Sequence, residues 1–376
     1  MIPFTRPYLC GKEQSYIDRA LESGKFSGNG PFTAQCNAFF KSRFGIEHAL
    51  LTTSCTDALE MTALLSNIQP GDEIIVPSYT YVSTANAFAL HGAIIRFADS
   101  CVGHPNMDPL HAESLVNEKT KAIVVMHYAG MACDMNAFRS LAKKHGLLLI
   151  EDAAQCYDAR FNEEVLGTMG DYGTYSFHET KNVICGEGGL LIIRDNIVSE
   201  HAEMIWEKGT DRVAFLKGKV QSYGWKSIGS SYYPSEITAA FLLAQLEHTN
   251  EALRHRMELW QNYAQSIAEM DYHHCFELPR IEDYMQHNAH HFFLVFNEKN
   301  KRDAFLAFMK AEDIQCTFHY MPLHQSAFAE SKFGLQKALP NAEKFGNGLV
   351  RLPLFNGMSK EELSTVCKAI ERFCKN

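Results

Sequence analysis

The chain has 376 residues, 46% hydrophobic and 21% charged, enough for a large buried core and more than one domain. A formal net charge of −9 argues against a duplex-binding protein, which needs a basic face to displace phosphate counterions, though a few local donors could still bind one phosphate. The first residues lack the charged and apolar regions of a signal peptide, and no apolar run approaches the roughly 18 residues of a membrane helix. With 11 cysteines and no Cys-x-x-Cys pair, a reducing cytoplasm is the expected compartment.

In chain order, residues 49–53 read as a strand, followed by a helix through Ala58-Leu59-Glu60-Met61. Strands are predicted at 73–77 and 93–98, with a helix over 84–91 between them. The Ala-Ile-Val-Val-Met run within 121–127 predicts a strand buried on both faces. A helix over 136–145 leads into a strand at 147–152, and further strands are expected at 173–177 and 190–193. Strands alternating with helices predict an α/β fold whose mostly parallel sheet is covered on both sides. One long helix is expected from 235 to 270, then shorter elements, including a strand at 290–296 and a helix over 302–311. This change of texture divides the chain into a large domain, 1–254, and a smaller C-terminal α+β domain, 255–376.

Ligands of a parallel sheet sit beyond the carboxyl ends of its strands, so the residues just after each strand carry the chemical information. Thr53-Ser54-Cys55-Thr56 ends a strand and opens a helix, a natural anion site if it is more than a plain helix cap. Pro77-Ser78-Tyr79-Thr80-Tyr81 offers two aromatics, either for stacking on a flat ring or for core packing. Glu151-Asp152-Ala153-Ala154-Gln155 ends a buried strand in carboxylates that need a partner, which a pyridinium nitrogen or an ordinary turn could supply. Ser176-Phe177-His178-Glu179-Thr180-Lys181-Asn182 places a lysine before the glycine-rich Gly186-Glu187-Gly188-Gly189; a desolvated amine there could act as a nucleophile, or the lysine could be a surface residue of a hairpin. The order (phosphate-type cap, aromatic, strand-end Asp, loop Lys) supplies the contacts that pyridoxal 5′-phosphate needs. His127, His145 and His178 have no partner at metal-ligand helical spacing, and His290-His291 reads as a strand pair rather than a zinc site.

On these motifs the sequence resembles the nucleotide-sugar aminotransferases of the DegT/DnrJ/EryC1/StrS family, from Ile2-Pro3-Phe4 to Arg351-Leu352-Pro353-Leu354. The resemblance implies the fold-type-I architecture of PLP-dependent transferases, pyridoxal 5′-phosphate as cofactor, and a homodimer with shared active sites. It also implies L-glutamate as amino donor and a dTDP-linked keto-sugar as acceptor. By motif, Lys181 matches the catalytic lysine that holds the cofactor covalently, Asp152 the pyridinium partner and Gln155 a contact near the ring hydroxyl. Tyr81 matches the stacking aromatic, while Cys55, Thr56 and Ser176 match phosphate contacts. Where many relatives carry an asparagine that reaches the neighbouring subunit's phosphate, this chain has Ser231, in Ser231-Tyr232-Tyr233-Pro234. Relatives that dehydrate sugars have histidine in place of the lysine, so Lys181 favours amino transfer. Arg212 is a candidate for binding an anionic group of donor or acceptor. A regulatory sensor on the same fold is the reading from another class; the acidic balance and the lack of a helix-turn-helix pattern speak against it. Within the family, Thr-x-Ser-Cys-Thr, Ser-Phe-His-Glu-Thr-Lys-Asn and Ile-Gly-Ser-Ser-Tyr most resemble members that form dTDP-4-amino-4,6-dideoxy-D-galactose.

Overall fold

The structure, a computed structural model, describes residues 1–270, 272, 274–335 and 337–375. Its main sheet takes β1 (His48–Thr52), β2 (Glu73–Pro77), β3 (Ile94–Ala98), β4 (Thr120–Met126) and β5 (Leu148–Asp152). A short hairpin of β6 (Arg160–Phe161) and β7 (Glu164–Val165) follows, and the sheet resumes with β8 (Tyr172–Ser176) and β9 (Gly189–Ile193). Across the sheet the order is β1-β9-β8-β5-β4-β2-β3. β3, β2, β4, β5 and β8 run parallel, and β9 is antiparallel to both of its neighbours. Strands such as β2 and β9 are buried at every position, as a sheet with helices on both faces requires. Register brings Met126 opposite Asp152 and Asp152 opposite Thr174, so the carboxyl ends of β4, β5 and β8 form one rim.

A second, four-stranded sheet has the order β10 (Phe276–Glu277), β12 (Phe293–Phe296), β14 (Leu349–Arg351), β13 (Thr317–Phe318), while β11 (Met285–Gln286) pairs with β6. Around it lies a separate apolar core that includes Leu259, Tyr263, Phe292, Phe305, Val366 and Ile370. Ile2 also packs on this core and bridges to Ile314, tying the start of the chain to its last third. A division at residues 254/255 stands as a proposal, and it would cut within the helix Asn250–Ala268. Among the described residues no helix is long and apolar enough to cross a membrane.

Two expectations are corrected. The helix expected over 235–270 is two helices, Glu236–His248 and Asn250–Ala268, with Thr249 between them. The first is buried nearly all round, through Ala239, Leu242, Leu243 and Leu246, in the core of the main sheet. The second turns Leu259, Tyr263 and Ile267 toward the second core, so one straight helix could not serve both. The strand expected at 290–296 begins at Phe293. His290 and His291 therefore form no strand pair; their ring centroids lie 4.0 Å apart just before β12.

Candidate active site

Above the carboxyl rim of the main sheet a cavity of about 1250 Å³ opens between the two cores. Its floor begins where β1 hands over to the helix Cys55–Leu65. Ser54 is extended at that junction, and its side chain accepts a hydrogen bond from the Asp57 N–H at 3.0 Å, a proper N-cap. Cys55 and Thr56 face the cavity at the helix start, with the Thr56 and Ser83 hydroxyls 2.8 Å apart. Gly189 of β9 backs onto this turn; a Cβ there would lie 2.3 Å from the Ser54 carbonyl carbon and 2.4 Å from the Cys55 nitrogen. Only glycine lets the strand approach so closely, and the close approach fixes the helix start that would cradle a phosphate.

Asp152 ends β5 and is buried. The Thr84 hydroxyl donates to one of its oxygens at 2.6 Å, and the Ala154 N–H donates to the other at 3.1 Å. Burial raises its pKa above the ordinary carboxylate value, opposed by those hydrogen bonds and by the charges of Lys181 and His127. Beneath it, Glu151 accepts from the Gly167, Met169 and Gly170 N–H groups and pairs with His127 at 3.0 Å, which pins the strand end.

Lys181 sits on the turn between β8 and β9. The Lys181 N–H donates to the His178 carbonyl at 2.9 Å, and the Glu179 N–H donates to Gly186 at 3.0 Å, with Gly186 at φ 81°. Asn182 ties the turn to the second core: its side chain donates to the Asn288 carbonyl at 2.9 Å and lies 3.0 Å from His290 Nδ1. Burial pulls the Lys181 amine below the ordinary lysine range, with Cys55 and Asp152 opposing it. An amine held nearer neutrality than usual is what nucleophilic and proton-transfer work requires.

Of the residues singled out in the sequence, Cys55, Thr56, Tyr81, Asp152, Gln155, Ser176 and Lys181 all line this one cavity. Tyr81 is 59% exposed at the mouth, whereas Tyr79 is fully buried behind it. Gln155 accepts from the Ala129 N–H at 2.6 Å and donates to the Tyr320 hydroxyl at 3.0 Å. Ser231 is exposed and outside the cavity, bridged to Glu207. Its expected role was on a neighbouring subunit. Arg212 also lies outside the cavity and pairs with Glu207 at 3.4 Å. The sequence assigned no site role to Thr84, His290, His291, His319, Tyr320 or Arg351, none of which directly follows a main-sheet strand. Burial disfavours the charged form of the His290, His291 and His319 rings and lowers each pKa well below its ordinary value.

The donor set suits pyridoxal phosphate. A buried carboxylate whose charge burial disfavours gains from a cationic ring nitrogen, a partly desolvated amine stands on the same cavity, and a capped helix start offers N–H groups to a phosphate. On that sheet, such a site defines a pyridoxal-phosphate-dependent transferase of fold type I. The profile of the DegT/DnrJ/EryC1/StrS aminotransferase family matches residues 7–371, and the chain belongs to that family as a PLP-dependent sugar aminotransferase. It is 30% identical to the spore coat polysaccharide biosynthesis protein SpsC of Bacillus subtilis, an alignment spanning 100% of this chain and 97% of SpsC. Among solved structures, the aminotransferase TlmJ from Streptoalloteichus hindustanus superposes with a TM-score of 0.91 at 26% identity, covering 99% of this chain and 98% of TlmJ. DesV of S. venezuelae does so at 0.89 and 27% identity, covering 100% and 99%.

Proposed function

We propose that this aminotransferase moves the amino group of L-glutamate to carbon 4 of a dTDP-linked 4-keto-6-deoxy-hexose, giving dTDP-4-amino-4,6-dideoxy-D-galactose. The observation that carries the reading is one cavity of about 1250 Å³ with Lys181 and Asp152 on its walls. Ligand pockets usually run to roughly 300–1,000 Å³, so there is room for a nucleotide-sugar above a cofactor. The sugar and its galacto configuration rest on the resemblance of the long motifs to the dTDP-4-amino-4,6-dideoxygalactose transaminase of enterobacterial common antigen synthesis. On this reading the product feeds a surface polysaccharide such as that antigen or an O-antigen, and the protein works in the cytoplasm as a homodimer, with Ser231 serving the neighbouring subunit's site.

Pyridoxal phosphate, when bound, supplies the electron sink for the carbanion left as the donor loses its α-proton. The protein does the rest. Asp152 would hold the proton on the ring nitrogen, and Gln155, Tyr81, Cys55, Thr56 and Ser176 would hold the ring and its phosphate. Lys181 would anchor the cofactor, and its amine would move the proton at the donor's α-carbon.

The test is glutamate-dependent turnover of dTDP-4-keto-6-deoxyglucose, with the product's configuration read by NMR. A galacto product and loss of turnover in Lys181→Ala are expected. A gluco product, or activity only with a 3-keto sugar, would overturn the substrate assignment; near-normal turnover in Lys181→Ala would overturn the mechanism.

A further inference from the structure

Lys181 and Asp152 stand on different elements, one in the turn between β8 and β9 and the other at the end of β5. One segment, Asn288-Ala289-His290 just before β12, is bonded to the neighbourhoods of both. Toward the lysine, the Asn182 side chain donates to the Asn288 carbonyl at 2.9 Å, and its oxygen lies 3.0 Å from His290 Nδ1. An amide oxygen only accepts, so the ring proton of His290 sits on Nδ1 and the ring donates. Toward the aspartate, the Asn288 side chain donates to the Gln155 carbonyl at 2.9 Å and to the Tyr157 carbonyl at 3.0 Å, both on the loop after β5. Its own oxygen accepts from the His290 N–H at 3.2 Å. Asn182, Asn288 and His290 are all buried.

The segment is held rigidly. Ala289 has φ 52°, a left-handed conformation that a residue with a Cβ keeps only where its surroundings impose it. Arg256 does so. Its Nε and one terminal nitrogen donate to the Ala289 carbonyl at 3.3 and 3.1 Å, that nitrogen also reaches the His290 carbonyl at 2.9 Å, and the other reaches Leu354 at 3.3 Å. A guanidinium whose pKa burial pulls down to about 10 is thus committed to three carbonyls. Gly130 closes against the other side: a Cβ there would lie 2.1 Å from Asn288 Oδ1.

We propose that Asn182 and Asn288 are positioning residues that set the span between the Lys181 amine and the Asp152 carboxylate. This rests on the proposed function, which puts those two groups at opposite ends of one cofactor. The links run in series, from the lysine turn through the Asn182 side chain to the Asn288 main chain, and through the Asn288 side chain to the loop beyond Asp152. A molecule held at both ends feels their separation, and a misplacement of about 1 Å can cost about 10²-fold. The aldehyde of pyridoxal phosphate condenses with the Lys181 amine, forming a C=N bond and releasing water. Pyridoxamine phosphate carries an amine at that carbon and cannot. The span therefore matters to the first and not to the second.

The experiment titrates apo-protein with pyridoxal phosphate and with pyridoxamine phosphate, following fluorescence quenching, and takes the ratio of the two affinities. Asn182→Ala should lower that ratio about tenfold in favour of the pyridoxamine form, and Asn288→Ala by a similar amount. Because the links are in series, the double variant should fall no further than the larger single effect. On a Lys181→Ala background neither change should move the ratio by more than about twofold. Asn182→Ala frees only the lysine end, so the result does not depend on Asn288→Ala folding. An equal loss of both affinities, effects of the two changes that multiply, or an effect that survives Lys181→Ala each overturns the proposal and leaves the segment a structural brace. If Lys181→Ala by itself binds pyridoxal phosphate as tightly as wild type, the role given to the lysine in the proposed function fails, and the span falls with it.

Discussion

Asp152 carries a conflict between stability and function. Its carboxyl has a pKa above the ordinary 3.8, with burial the largest cause. The folded chain therefore holds that proton more tightly than the unfolded chain. As pH rises from about 3.8 through the raised value, the unfolded state ionises first and the folded state loses stability relative to it. Asparagine cannot ionise. It can keep the Ala154 N–H on its oxygen and give its amide to Thr84, whose hydroxyl can turn to Thr80 Oγ1 at 2.8 Å. Apo-protein carrying Asp152→Asn should thus melt above wild-type apo-protein at neutral pH, with the difference shrinking to nothing in acid; scanning calorimetry at several pH values reads this. The same variant with cofactor should lose roughly 10²–10³-fold in turnover. An apo-variant less stable than wild type at pH 7 would mean that the charge is welcome without the cofactor.

Lys181 and Asp152 were legible in the sequence because Asp152 ends a strand and Lys181 lies in the turn after one, and both strands are revealed by their own pattern. Thr84 was not, since what makes it matter is a reach across 68 residues of chain to Asp152.

At the level of elements, the site depends on how tightly β9 is pressed against the start of the helix Cys55–Leu65. Gly189→Ala would put a methyl within 2.3 Å of backbone that cannot swing aside. The strand or the helix start must move, at a cost of roughly 1–3 kcal/mol. Cofactor affinity should fall by more than the global stability does, because the displaced N–H groups are those proposed to hold the phosphate. Ser54→Ala is the milder companion: losing the cap to the Asp57 N–H at 3.0 Å should lower stability by about 1 kcal/mol. Denaturant melts and cofactor titrations of the two variants separate these effects; equal losses in both readouts for Gly189→Ala would show that the turn has no special relation to the ligand. Helix and strand periods placed these elements to within a few residues. The break at Thr249 escaped, because it comes from two cores competing for one amphipathic run rather than from any helix-breaking residue.

On the scale of the whole molecule, the alternating strands and helices announced the parallel sheet, but nothing in the sequence announces that the first residues close the cavity. The Ile2 N–H donates to the Asp313 carbonyl at 2.8 Å, and the Gln315 N–H donates to Ile2 at 3.0 Å. This lays Met1, Phe4 and Thr5 along the cavity wall, with Phe4 against Arg351. The attachment is modest: those two backbone hydrogen bonds, a third from the Leu354 N–H to the Phe4 carbonyl at 3.4 Å, one from the Phe4 N–H to the Gln315 side chain at 3.2 Å, each worth about 1 kcal/mol, and one partly buried isoleucine. Removing residues 1–5 should therefore lower the melting temperature by several degrees without abolishing the fold. The same deletion takes away one wall of the site and the Phe4 ring that lies against Arg351. The KM for the amino donor should then rise about tenfold or more, a change that thermal melts and steady-state kinetics on one preparation can set side by side. A collapse of stability matching the loss of activity would assign the segment to holding the second core together. A kinetic defect in a protein that still melts near the wild-type temperature would assign it to the site.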